Sequence, residues 1–228
     1  MNGDVAKVTG QFVVLFLLFA LALFIAAGTI TWMAGWLFLI LFFGFFASVS
    51  TWLFRHNPGL LLERTHIVGT ADQQRWDKFL YPLLEVLCFA WLVLDSLDSV
   101  RFRWSSMPGW LQSAGGMVLL ASFYLFFLTF RENSYLSPVV RVQQERGQTV
   151  VSTGPYRYVR HPMYSAIAVF LIGTTLLLGS WYGLLFVPCI LIVLARRAVL
   201  EERTLQKELP GYAAYAARVR YRLVPRVW

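Results

Sequence analysis

Long, nearly unbroken blocks of apolar residues run along the chain, separated by short polar segments that are rich in Lys and Arg. Most blocks are close to the roughly 20 residues that an α-helix needs to cross about 30 Å of hydrocarbon. The pattern therefore predicts an all-α integral membrane protein with about six transmembrane helices. Their expected positions are 11–30, 33–54, 79–94, 110–130, 163–179 and 183–195.

The first apolar block has a second interpretation. Residues 12–28 resemble a signal peptide, because Lys7 precedes them and small residues end them. A second full block follows almost at once, after Thr31 and Trp32, and this spacing is typical of a helical hairpin. The sequence therefore favours a hairpin of two membrane helices over a signal peptide.

Composition supports the membrane assignment and excludes an ordinary soluble domain. Of 228 residues, 58% are hydrophobic and only 14% are charged. We find no repeat of fixed period, so one membrane domain over 1–228 is expected, with membrane helices in 1–130 and the motif-bearing region in 131–228. Cys88 and Cys189 lie inside predicted helices without a CxxC partner, which indicates neither a disulfide nor a metal site.

The distribution of charge predicts the orientation in the membrane. With six spans, 18 of the 20 Lys and Arg residues fall on one side, and only Arg101 and Arg103 fall on the other. Short loops retain Lys and Arg in the cytoplasm, so both termini are expected to be cytosolic. The net charge of +8 then favours attraction to anionic lipid headgroups over nucleic-acid binding.

A dense polar and aromatic motif stands before the fifth predicted helix. It reads Gly154-Pro155-Tyr156-Arg157-Tyr158-Val159-Arg160-His161-Pro162-Met163-Tyr164. Pro162 suits the first turn of a helix. Arg160 and His161 would then lie at the positive helix end, where unpaired N–H groups favour an anion. The plainer alternative is that the arginines anchor the helix to headgroups while the tyrosines form an aromatic belt.

A pair of carboxylates follows the sixth predicted helix. Arg197 and Glu201 are one helical turn apart, so an ion pair between them is the plainest interpretation. Adjacent carboxylates at a membrane surface that repels anions are costly, however, and some cation must offset Glu201 and Glu202. Their location beside the membrane therefore indicates that Glu201 and Glu202 have cationic partners beyond an ion pair within the helix.

Two further segments have expected structural roles. In the tail, Tyr212 and Tyr215 form one stripe of an amphipathic interfacial helix, which is expected to lie on the bilayer and close over the last two spans. The loop 55–78 is interpreted as structural, with a turn at Pro58 and Gly59.

The motif at 154–164, the Glu201-Glu202 pair and a Gly-Tyr-x-x-Tyr tail ending in Val-Pro-Arg together resemble the isoprenylcysteine carboxyl methyltransferase family. That family is related to the membrane phospholipid methyltransferases, and the resemblance covers roughly 153–226. It implies a membrane enzyme that binds S-adenosylmethionine with its carboxy-terminal third, at the cytosolic face. The implied activity is most like that of a protein-S-isoprenylcysteine carboxyl O-methyltransferase, with a lipid-like or prenylated acceptor entering sideways between helices.

The resemblance also implies roles for single residues. The cofactor would be bound by Gly154, Tyr156, Arg160, His161, Pro162, Tyr164, Glu201 and Glu202. Catalytic roles fall to Arg160, Arg197 and Glu202, with Arg160 or Arg197 positioning the carboxylate of the cofactor or of the acceptor. No metal site is expected, because His56, His66 and His161 are too scattered to form a ligand set. No Gly-x-Gly-x-x-Gly motif follows a strand, so a Rossmann cofactor site is not expected either.

Two other functions fit the same residues. Membrane reductases of the sterol reductase type carry a similar Arg-His-Pro and Tyr-x-x-Tyr region but use NADPH. A non-enzymatic membrane scaffold or lipid-binding protein would use the same clusters only as anchors. The acceptor and the oligomeric state are not indicated by the sequence.

Overall fold

The computed structural model describes residues 2–65 and 72–228. Over these residues the chain is helical and contains no strand. The helices are α1 (Asn2–Ala27), α2 (Met33–His56), α3 (Pro58–Thr65), α4 (Asp77–Ser96), α5 (Gly109–Glu132), α6 (Pro162–Leu178), α7 (Trp181–Glu208) and α8 (Tyr212–Arg218). A π-helical turn, Leu97–Arg101, extends α4.

Six of these helices match the predicted membrane spans. Helices α1, α2, α4, α5 and α7 are long and apolar enough to cross a membrane, and α6 is a shorter apolar helix of 17 residues. The all-α membrane fold is therefore confirmed. Helix α7 is 28 residues long and continues past the predicted end of the sixth span at residue 195. Its last turns consequently carry the Glu201-Glu202 pair as part of one continuous helix.

Side-chain contacts divide the helix ends into two groups. At one end Asn57 donates a hydrogen bond to Ser134 (2.8 Å), and Arg197 contacts Asp77 (2.8 Å). At the opposite end Ser180 donates to Asp98 (2.6 Å). Most of the Lys and Arg residues and the conspicuous motif lie at the first end. Its location in the cytosol remains the prediction made from the positive-inside rule.

Helices α5 and α6 approach each other through two glycines. A Cβ atom added to Gly115 would lie 2.5 Å from the backbone nitrogen of Leu177, and one added to Gly173 would lie 2.5 Å from that of Leu119. Small residues of this kind let membrane helices pack backbone against backbone. This contact holds α6, which begins at the motif, firmly against α5.

Two buried aspartates lie at the opposite end of the bundle and accept hydrogen bonds there. Asp98 accepts hydrogen bonds from the hydroxyls of Ser105 (2.5 Å) and Ser180 (2.6 Å) and from the backbone N–H of Tyr182 (3.2 Å). Asp95 accepts a longer one from Thr175 (3.4 Å). The bonds of Asp98 join the π-helical turn to the connection between α6 and α7, and the bond of Asp95 joins α4 to α6.

Two segments differ from their expected form. The turn expected at Pro58 and Gly59 is the first turn of α3, and Leu60, which follows it, is fully buried. Helix α8 is only seven residues long, and its tyrosine stripe, Tyr212 and Tyr215, is buried against Tyr156. Packing against the motif explains this burial. The remainder of the 55–78 loop, residues 66–71 with His66, lies outside the described residues.

We expect Gly173→Ala to lower the melting temperature of the detergent-solubilised protein, because the new methyl group meets the backbone of α5. Overpacking of this kind costs roughly 1–3 kcal/mol. Gly44→Ala in α2 is the matched control, since nothing lies within 4 Å of its added Cβ. Alanine is the better helix former by about 1 kcal/mol, so the control should be neutral or stabilising. Equal melting temperatures for both variants would contradict the close approach of α5 and α6.

Candidate functional site

A cavity of about 440 Å³ opens among the helices at the charged end of the bundle. Its volume falls in the range of small-molecule sites, roughly 300–1,000 Å³. One part of the wall is aromatic and comes from α1, α2, α4, α5 and α6, with Phe19, Phe42, Phe46, Trp91, Phe126 and Phe170. The other part is polar and comes mainly from the motif, α7 and α8, with Arg64 of α3 and Arg141 of the loop after α5. The cavity thus joins a region fit for hydrocarbon to one fit for charge.

Glu202 is the most heavily bonded carboxylate at this end of the protein. It is buried, and it contacts Arg160 Nε (2.6 Å), His161 Nε2 (3.2 Å) and Arg222 Nε (2.9 Å). A buried carboxylate is stable only when cations and hydrogen bonds offset its lost hydration. Glu202 therefore ties α7 to the start of α6 and to the tail.

Carbonyl groups of the tail accept hydrogen bonds from the remaining N–H groups of Arg160 and His161. Arg160 Nη1 donates to the carbonyl of Val219 (2.7 Å), and the backbone N–H of Arg160 donates to that of Tyr221 (2.9 Å). The backbone N–H of His161 donates to Arg222 (2.9 Å). The backbone N–H groups of these two residues are therefore paired with the tail, which folds back onto them.

Glu201 lies on a different side of α7 from Glu202. It accepts a hydrogen bond from the Tyr164 hydroxyl (2.6 Å), lines the cavity and is a quarter exposed. The rings of His161 and Tyr164 stack in parallel, with centroids 5.3 Å apart. Glu201 therefore keeps one oxygen available to a ligand beside two stacked rings.

Arg197 pairs with a carboxylate far away in the sequence. Its Nε donates to Asp77 (2.8 Å), its Nη2 donates to the Pro138 carbonyl (2.7 Å), and its guanidinium lies over the rings of Tyr81 and Tyr164. The plainest interpretation from the sequence, an ion pair with the residue one turn along α7, is replaced by a contact with the start of α4. Arg197 is thus fixed in the cavity wall by two oxygens.

The tyrosines of the motif and of α8 pack together beneath the tail. Tyr156 accepts a hydrogen bond from Asn133 (2.8 Å) at its hydroxyl, and its carbonyl accepts one from Tyr215 (2.9 Å). Burial raises the pKa of Tyr156 and of Tyr212, and it raises the pKa of Tyr215 to about 12. All three are therefore neutral donors near pH 7. Among the described residues the Tyr212 hydroxyl, on the cavity wall, has no partner.

The predicted site residues divide into two groups. Those that line the cavity are Tyr156, Arg160, His161, Pro162, Tyr164, Arg197 and Glu201. Glu202 is held by Arg160 and His161, and Gly154 forms the preceding turn at φ +53°, where a Cβ would collide with the side chain of Glu132. Pro162 begins α6, as predicted.

Sequence reasoning missed four residues of the site: Arg64, Asp77, Tyr81 and Tyr212. Asp77 is fully buried, and it also accepts hydrogen bonds from Gln73 (3.0 Å) and from the Val140 backbone (2.8 Å). A lone aspartate at the start of an apolar block is a signal that could have identified it. The loop interpreted as structural thus supplies Arg64 to the cavity wall and Asp77 as the carboxylate partner of Arg197.

Comparison with known proteins agrees with the motifs. The model of the phospholipid methyltransferase family matches residues 110–210, which include all but the first residue of α5 and the whole of α6 and α7. A comparison with curated proteins finds no match. The match confirms the recognition made from the motifs: residues 110–210 of this multi-pass helical membrane protein are similar to the phospholipid methyltransferase family.

Proposed function

We propose that the protein transfers a methyl group from S-adenosylmethionine to a lipid-like acceptor at the cytosolic membrane face. The observation that carries this proposal is a cavity in which the polar groups of the motif adjoin an aromatic wall between membrane helices. Among related activities, that of a protein-S-isoprenylcysteine carboxyl O-methyltransferase is the one that the motifs resemble most. The cytosolic side is the one on which the arginines are concentrated.

The polar part of the cavity fits the chemical groups of the cofactor. S-Adenosylmethionine supplies a methyl group on an activated sulfonium, and it also carries a carboxylate, an ammonium and a ribose diol. The available oxygen of Glu201 suits the diol or the ammonium. The Tyr212 hydroxyl is a neutral donor without a partner among the described residues. The stacked rings of His161 and Tyr164 offer a flat surface beside them.

The other predicted residues named below would shape and close the cavity without contacting the cofactor's charged groups. Arg160 and Glu202 hold each other at 2.6 Å and fasten the tail over the cavity. Tyr156 and Pro162 form part of the wall, and Gly154 permits the turn that leads into it. Methyl transfer to a well-aligned acceptor needs chiefly positioning and exclusion of water, and a closed, rigid wall provides both.

His161 is the group best placed to handle a proton. Its Nε2 lies 3.2 Å from Glu202, which orients the ring. A carboxylate acceptor would need no base, whereas a thiol or amine acceptor must lose a proton during transfer. His161 would accept that proton in the second case.

The aromatic part of the cavity fits a hydrocarbon chain. The rings of Phe42 and Phe170 are 5.7 Å apart, and those of Phe45 and Phe123 stack at 4.5 Å beside them. Transfer of hydrocarbon into such surroundings contributes about 0.8 kcal/mol per buried methylene group. An acceptor with a long chain would therefore be held with its reactive head toward the polar end.

Ligand-induced stabilisation separates this proposal from its alternatives. We expect S-adenosylmethionine to raise the melting temperature of the purified protein and NADPH to leave it unchanged. At a ligand concentration of 100 times Kd, the stabilisation is about 2.7 kcal/mol. Stabilisation by NADPH alone would indicate a reductase, and stabilisation by neither would indicate a scaffold.

Glu201→Gln tests direct contact with the cofactor. Because Glu201 faces the cavity and carries no buried ion pair with an arginine, we expect its variant to fold normally. The Kd for S-adenosylmethionine should rise at least roughly tenfold, a loss of about 1.4 kcal/mol. Glu208→Gln, an exposed position on the same helix, is the matched control and should bind normally. Equal affinity in both variants would remove Glu201 from the site.

Glu202→Gln should behave differently from its neighbour. Removing this carboxylate leaves Arg160 and His161 buried without their counter-charge, and breaking a buried pair costs roughly 3–5 kcal/mol. We expect a clear fall in melting temperature without any ligand, together with weaker cofactor binding. A Glu202→Gln protein as stable as the wild type would show that the tail is held by other contacts.

A further inference from the structure

Four arginines line the main cavity, and they are not equally neutralised. Three of them hold a carboxylate: Arg141 contacts Glu63 (2.8 Å), Arg160 contacts Glu202 (2.6 Å) and Arg197 contacts Asp77 (2.8 Å). The fourth, Arg64, has neither an ion pair nor a hydrogen bond from its guanidinium within the described part of the chain. Its contact is with the face of the Phe130 ring, at 4.7 Å from the ring centroid.

The charge of Arg64 is therefore incompletely compensated. Burial lowers its pKa to about 10, so the guanidinium is still charged near pH 7. A cation–π contact returns only part of the hydration that a buried guanidinium loses. Among the described residues no carboxylate contacts Arg64 to offset the remaining cost of withdrawing the cation from water. An anionic ligand would therefore provide the counter-charge that the described residues do not provide to the Arg64 guanidinium.

The surroundings of Arg64 show what kind of anion fits. Arg64 lies where the main cavity meets a second cavity of about 260 Å³, and Phe42, Phe46 and Phe130 line both. The second cavity is mostly apolar and lies between α1, α2, α3 and α5. A molecule bound at the guanidinium would therefore place its remaining atoms among aromatic rings. These surroundings favour an anion that carries a hydrocarbon chain.

The cofactor carboxylate is a less suitable ligand for Arg64. The groups that complement the cofactor, Glu201 and Tyr212, belong to α7 and α8, whereas Arg64 is on α3 and packs on α5. Tyr81 lies near both Arg64 and the guanidinium of Arg197. The anionic group at Arg64 would consequently approach the reaction from the acceptor side of the cavity.

We propose that Arg64 binds the anionic group of the methyl acceptor, and that the acceptor is an amphiphile whose phosphate or carboxylate meets this guanidinium. Its hydrocarbon chain lies against Phe42, Phe46 and Phe130. The role of this amphiphile as methyl acceptor rests on the proposed function, whereas its binding at Arg64 does not. Arg64 lies outside the residues 110–210 that match the family model, so the specificity is supplied by the amino-terminal half of the chain.

Binding of matched amphiphiles tests the proposal without any turnover. The full-length protein, in a neutral detergent, is titrated with three molecules that share a palmitoyl chain: lysophosphatidic acid, palmitate and monopalmitoylglycerol. We expect both anionic molecules to raise the melting temperature and the neutral one to have little effect. Inorganic phosphate alone should also have little effect. The larger of the two anionic shifts identifies phosphate or carboxylate as the preferred group.

Variants assign the effect to one side chain. In Arg64→Gln the half-saturating concentration of the preferred anionic amphiphile should rise at least roughly tenfold. Arg55→Gln removes the same charge from an exposed position at the end of α2, and it should behave as the wild type. If Arg64→Gln does not fold, Arg64→Met, which keeps the apolar stem, is used in its place. A wild-type protein without preference for the anionic molecules, or a variant that keeps that preference, would overturn the proposal.

Cofactor affinity separates the two inferences. The Kd of Arg64→Gln for S-adenosylmethionine should stay within about twofold of the wild-type value. A tenfold loss would assign Arg64 to the cofactor carboxylate and overturn its role with the acceptor. If the wild type does not bind S-adenosylmethionine, the proposed function fails, while the preference for anionic amphiphiles still decides the role of Arg64 on its own.

Discussion

A carboxylate that leaves water at the edge of a membrane must be neutralised by the protein, and Glu202 meets this condition with three partners from two segments. Arg160 and His161 precede α6, and Arg222 belongs to the tail. The ion cluster draws both segments to α7. Once Arg160 is held there, its guanidinium also donates hydrogen bonds to carbonyls of the tail, so backbone oxygens that would otherwise need water are satisfied within the protein.

A second buried pair joins the two halves of the chain. Asp77 begins α4, Arg197 lies on α7, and 120 positions separate them in the sequence. The matched family region, 110–210, therefore does not form the cavity wall alone. Without Asp77 the guanidinium of Arg197 would be buried against Tyr81 and Tyr164 with one carbonyl as its oxygen partner. The amino-terminal helices thus contribute charge compensation to the site as well as apolar bulk.

The sequence predicted the helices well because the bilayer imposes a length, and an apolar block of that length has few alternatives. It also identified the motif that precedes α6 and the Glu201-Glu202 pair, since polar residues beside membrane spans stand out. It did not identify the partner of Arg197. Periodicity relates a residue only to neighbours three or four positions away, so it pointed to Glu201, whereas packing brought Asp77 closer. The contacts of the tail and the position of Arg64 are long-range in the same sense.

The two adjacent glutamates show how one helix serves structure and chemistry together. Successive residues on an α-helix point about 100° apart, so Glu201 and Glu202 cannot share surroundings. Glu202 points toward the motif and is paired with its cationic side chains. Glu201 instead faces the cavity, where a neutral tyrosine is its hydrogen-bond donor. The four arginines that line the cavity follow the same division, because three contact carboxylates and Arg64 contacts none among the described residues. Charged side chains that are fully paired hold the cavity walls in place. Glu201 and Arg64 are incompletely paired, so a ligand that pairs with them gains binding free energy.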